Sequence, residues 1–159
     1  MSQRGLVSSC ARAATAEEAA FRIDYPLAAA RNTRVVALDD TAERIVRHAS
    51  AESWAQARFY SVSGSGHELV TMAGDRVALT EELRDSNTVV LVSTTGENAE
   101  AAATIGAACT VRGIMTAGLV VTPDQIANEA LFSLRPHARI LLVPAEEDDL
   151  LELLRATRA

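Results

Sequence analysis

From Thr33 onward, short apolar or β-branched runs alternate with segments of helical spacing, and this alternation limits the possible folds more than any other feature of the chain. Strands separated by helices are joined in parallel through crossovers. The pattern therefore predicts an α/β fold, a three-layer αβα arrangement around a doubly wound, mostly parallel sheet of about five strands. At 159 residues and 48% hydrophobic content, the chain is long enough for one such core and short for two. We expect residues 1–31 to form an N-terminal arm or helix and residues 32–159 a single domain.

The first strand reads Thr33–Leu38, followed by Asp40 and Glu43 at the spacing of a helix-start box and a helix to about Ser50. Arg58–Val62 reads as a second strand ending in the turn Ser63, Gly64, Ser65, Gly66. Leu69–Leu79 fits either a hairpin turning at Gly74-Asp75 or a loop entering a helix at Thr80–Arg84. Thr88–Val92, wholly apolar after its threonine, is expected in mid-sheet with both faces covered. A helix over Asn98–Arg112 then carries Ala101, Ala102, Ile105, Ala108 and Cys109 on one face and ends at Gly113. Met115–Val121 is the next strand, and Thr122-Pro123-Asp124-Gln125 combines a cap, a first-turn proline and a capping-box glutamine. That helix closes before Pro136, Arg139–Val143 reads as another buried strand, and a final helix starts at Glu146–Asp149.

Charge narrows the function classes. All fifteen basic residues are arginine, so Schiff-base chemistry, a lysine base and the lysine of a phosphate loop are excluded together. A net charge of −6 provides no general attraction to nucleic acid or to anionic lipid. No apolar run approaches the roughly 20 residues that span a bilayer. Acidic residues interrupt the Ala- and Arg-rich start, so no targeting segment is read there and a cytoplasmic location is expected. Cys10 and Cys109 lie far apart, and His48, His67 and His137 lack ligand spacing, so neither a disulfide framework nor a metal site is expected. No cofactor is implied.

In a Rossmann-like sheet, ligands collect at the carboxyl ends of strands where the strand order reverses. The turn Ser93-Thr94-Thr95-Gly96-Glu97-Asn98 is the leading candidate, because a buried strand runs there into hydroxyls, a glycine and a helix start. Free amides and hydroxyls at a helix N-terminus suit a phosphate; equally, Thr94, Thr95 and Asn98 could serve only as caps. The turns Asp39-Asp40-Thr41 and Thr122–Asp124 also lie at strand ends, and Asp39, Asp40, Ser63, Gly64, Ser65 and Gly66 form the secondary loops. Glu97, Glu100 and His67 are the candidate bases if the site is catalytic, since sugar-phosphate isomerisation needs a proton moved beside a carbonyl.

The stretch Ser93–Glu100 resembles the phosphosugar-binding signature of sugar isomerase (SIS) domains. That resemblance implies that Ser93, Thr95 and Asn98 hold phosphate while Thr94 and Gly96 shape the turn. The chain departs from the signature at Leu38–Ala42, where SIS domains carry a glycine-rich turn. Gly113–Pro123 and Leu134–Pro144 are similar to the nucleotide domain of the FtsZ/tubulin GTPases, but the glycine-rich loops of that family are missing. This second resemblance implies a degenerate copy that associates without hydrolysing GTP. Three functions remain open: a binding module for a phosphorylated sugar or related anionic metabolite, a phosphosugar isomerase, and an association protein. A homodimer is expected from the Ala-rich helix faces and the arm around Phe21–Leu27.

Overall fold

A computed structural model describes residues 30–122 and 128–159. The expected arm over residues 1–31 and the proline-led helix start at Thr122–Gln125 therefore fall mostly outside the described residues. The strands are β1 (Thr33–Ala37), β2 (Arg58–Ser63), β3 (Glu68–Thr71), β4 (Arg76–Ala78), β5 (Thr88–Ser93), β6 (Met115–Val121) and β7 (Ile140–Ala145). The helices are α1 (Asp40–Ser50), α2 (Leu79–Leu83), α3 (Ala99–Arg112), α4 (Asn128–Leu134) and α5 (Glu147–Ala156). Seven strands form one sheet in the order β4-β3-β2-β1-β5-β6-β7.

The count exceeds the expected five because Glu68–Ala78 is a hairpin. Strands β2 to β4 pair antiparallel, whereas β2, β1, β5, β6 and β7 run parallel. The hairpin turns at Gly74, whose φ of +94° suits a residue without a side chain. The helical alternative for this stretch survives only as the five-residue α2.

Two apolar layers sandwich the sheet. On one face α1 and α5 cover Val35, Ala37, Val90, Val92, Leu119 and Val121, using Ile45, Val46, Leu150 and Leu154. On the other, α2, α3 and α4 cover Val36, Leu38, Val89, Leu91 and Val120, using Leu83, Ile105, Cys109 and Leu134. Alternation along each strand divides these residues between the layers. Strand β5 is buried at every position, as its composition predicts. Strand β7 is not: it forms the sheet edge, and Ile140 and Leu142 are 42% and 37% exposed. Its apolar composition led to an expectation of full burial, but α5 packs over the sheet interior and leaves the outer strand partly bare.

Small residues set the distances between layers. A Cβ at Gly106 of α3 would lie 2.5 Å from the ring of His137, so that histidine packs against the helix. Toward the amino ends of β1 and β2, buried Arg34 donates to the carbonyls of Glu82 and Gln56, and the Tyr60 hydroxyl donates to the Glu82 carboxylate. Burial, reinforced by that carboxylate, pushes the Tyr60 hydroxyl far above its ordinary pKa. These bonds fasten the α2 segment to the sheet. Among the described residues, no helix is long and apolar enough to cross a membrane.

Candidate functional site

The strand order reverses between β1 and β5: the chain passes from β1 to β2 on one side, then returns to place β5 on the other. Their carboxyl ends bring Asp39 and the Ser93–Asn98 loop together, although more than fifty residues separate them in sequence. Asp39 is 6% exposed. Its Oδ1 accepts the Thr94 hydroxyl at 2.6 Å and the Ala42 amide at 2.8 Å. Its Oδ2 accepts the amides of Thr94 and Thr95 at 2.7 and 3.2 Å, with the Ser93 hydroxyl at 3.5 Å.

The anion that these donors surround is thus a side chain of the protein. Burial alone would raise the pKa of Asp39, but the hydroxyl and amide of Thr94 and the amides of Ala42 and Thr95 outweigh it. The carboxyl is held below its usual range. The bond to Ala42 also makes Asp39 the N-cap of α1, a role that the sequence spacing assigned to its neighbour Asp40. Asp40 is the first residue of that helix and is exposed.

The remaining loop groups are also engaged. Ser93 Oγ accepts the Gly96 amide at 3.2 Å, and Thr95 Oγ1 accepts the Glu97 amide at 3.2 Å. Asn98 adopts a left-handed conformation at the start of α3 and makes no side-chain cap; its amide instead donates to the Leu38 carbonyl at 2.6 Å. Gly96, with φ +87°, lies so near α4 that a Cβ would stand 2.6 Å from the Ala130 nitrogen. Asp39 on one side and α4 on the other therefore hold the loop. In the secondary loop, Gly66 has φ +90°, and a Cβ there would come within 2.9 Å of the Ala101 backbone. Gly64 also has positive φ, while Ser63 and Ser65 are partly buried. This turn rests on α3.

Asp39, Asp40 and Asn98 line a pocket of only about 50 Å3, and the larger open space lies beside the loop, on the α1–α5 face. A cleft of about 550 Å3 is lined by Thr41 and Ile45 of α1, Thr94, Val121 and Thr122 at the strand ends, and Ala145, Glu146 and Glu147 leading into α5. A second cavity of about 360 Å3 shares Thr41, Ile45 and Glu147, and adds Arg44 and His48 one helical turn apart. Arg44 donates to the Thr41 hydroxyl at 3.1 Å and, among the described residues, is not paired with a carboxylate. Together they form a trough with an apolar floor, a hydroxyl and carboxylate wall, and one basic end.

Of the loop residues singled out from the sequence, Thr41, Thr94 and Thr122 line this trough. Glu97, Glu100 and His67 are exposed and line neither cavity. Sequence reasoning missed Arg44, Ile45, His48, Glu146 and Glu147, whereas Thr41 and Thr122 lie in strand-end turns that the sequence marks. The pair Arg44 and His48, spaced by four on a helix that follows the first strand, was the available signal. The chain matches no family model, and a search of curated proteins finds no match.

Proposed function

We propose that the protein is a non-catalytic binding module for a phosphorylated sugar, held in the trough between α1 and α5. The ring lies on Ile45, Val121 and Ala145. Its hydroxyls meet Thr41, Thr94, Thr122 and the Glu146 and Glu147 carboxylates, and its phosphate meets Arg44 and His48. The observation that carries this reading is the pairing of a hydroxyl-rich cleft at the strand-order reversal with an arginine that has no carboxylate partner among the described residues. The donors of the Ser93–Asn98 loop are already turned onto Asp39, so the phosphate belongs at the basic end of the trough instead.

Calorimetric and thermal titration with matched sugars and sugar phosphates tests the assignment. A ligand at 100 times its dissociation constant adds roughly 2.7 kcal/mol of stability. Arg44→Ala and His48→Ala should weaken the phosphorylated sugars selectively, leaving binding of the unphosphorylated ones intact, while Thr95→Ala should be silent. Loss of binding in Thr95→Ala with Arg44→Ala unaffected, or no response to any sugar phosphate, overturns the proposal.

A second reading is favoured by Asp39 itself. A nucleotide phosphate at the ends of β1 and β5 would face a buried carboxylate, which supports a degenerate FtsZ/tubulin-like domain acting by association. Silence toward both sugar phosphates and nucleotides selects this reading.

A further inference from the structure

We infer that β7 is a self-pairing edge through which two copies of this chain join their sheets antiparallel across a two-fold axis. The inference does not depend on what occupies the trough.

The two sheet edges differ. At one end β4 has only three residues and begins with Arg76, the short and charged form that discourages pairing. At the other end β7 has six residues, Ile140–Ala145, none of them charged. Among the described residues, no strand lies beyond it.

The backbone of this edge is directional. The Arg139 amide donates inward to the Thr116 carbonyl, and the register continues with Leu141 opposite Gly118 and Leu142 opposite Leu119. The β6 groups that face this edge are those of Thr116 and Gly118, so the register turns the main-chain groups of Ile140 and Leu142 inward onto β6 and those of Leu141 and Val143 outward. Leu141 and Val143 pack into the layer beneath α3 and α4, which leaves Ile140 and Leu142 on the opposite face with their side chains partly exposed. The strand thus presents unpaired main-chain groups and an apolar row together.

A second copy fits this pattern because it is self-complementary. With Leu142 on the two-fold axis, Leu141 of each copy exchanges both main-chain bonds with Val143 of the other. The missing amide of Pro144 lies outside this exchange. Ile140, Leu142 and Pro144 then form a continuous apolar strip. The charges at the strand ends also match: exposed Arg139 comes beside the Ala145–Glu146 end of the partner, where Glu146 and Glu147 are exposed. Parallel pairing would place like charges together.

Sedimentation of the full chain across concentrations, with hydrogen exchange of the Leu141 and Val143 amides, tests the inference. We expect a dimer, with protection of those two amides that rises with concentration. Leu142→Arg should raise the dimer dissociation constant about tenfold or more while leaving the circular dichroism and trough binding unchanged. A wild-type chain that stays monomeric, exchange at these amides that is independent of concentration, or a dimer unaffected by Leu142→Arg overturns it. The exchange measurement uses the unmodified protein, so it holds even if the variant misfolds.

Discussion

Asp39 and Thr94 meet through two hydrogen bonds, the threonine hydroxyl at 2.6 Å and its amide at 2.7 Å, and so tie the end of β1 to the end of β5. The same carboxylate caps α1 through Ala42. One buried side chain thereby fixes two neighbouring central strands and the first helix, and it defines which donors remain for a ligand.

Asp39→Ala should lower stability by about 2–4 kcal/mol, since it removes a helix cap and leaves the Thr94 and Thr95 amides unpaired. Urea unfolding measures this. Sulfate or phosphate should restore part of the loss in the variant and have little effect at this loop in the native chain, because the vacated donors then accept an external anion. A variant as stable as the native protein, or one indifferent to anions, would contradict the role assigned to this carboxylate.

The depressed pKa of Asp39 makes stability pH-dependent in a defined direction. A group whose folded pKa lies below its unfolded value contributes fully above the unfolded value, about 3.9 for aspartate, and loses that contribution as pH falls through the folded one. Relative to Asp39→Asn, the native protein should therefore show an extra decline in unfolding free energy below about pH 4. Parallel profiles for the two proteins through the acid range would exclude Asp39 as its source.

Two glycines with nearly equal backbone angles should respond unequally to alanine. Gly74 has φ +94° and open space around its missing side chain, so Gly74→Ala meets only left-handed strain, about 1 kcal/mol. Gly96 has φ +87° and abuts the α4 backbone at 2.6 Å, so Gly96→Ala adds a collision with main-chain atoms. Its expected cost is about 3 kcal/mol or more. Equal losses in thermal or urea unfolding would mean that the loop and α4 are not in contact.

The central architecture was legible because it is encoded locally. Thr88–Val92 could be assigned to mid-sheet because a continuous apolar run needs cover on both faces, and Gly113 marked the end of α3 because its left-handed angle is a glycine signature. The hairpin was less clear, since Leu69–Leu79 carries turn residues and helix formers side by side. The candidate site was the least legible part. The bonds from Asp39 to Thr94 and Thr95 span 55 and 56 positions, and no local spacing announces them. The adjacent Asp40 matched the helix-start pattern equally well and drew the cap assignment away from the residue that makes it. The burial of β7 was overestimated for a related reason: an apolar strand has the same composition at a sheet edge as in its centre, and strand order alone distinguishes them.

Tethering gives the Asp39 arrangement a further property. A carboxylate fixed to the same chain as its donors faces them at an effective concentration that does not vary with metabolite supply, and short intramolecular links commonly reach the millimolar range or above. A free anion competing for Thr94 and Thr95 would have to exceed that standing occupancy at every moment. The junction of β1 and β5 is accordingly insulated from fluctuations in the surrounding solution, and its shape is as constant in starvation as in plenty.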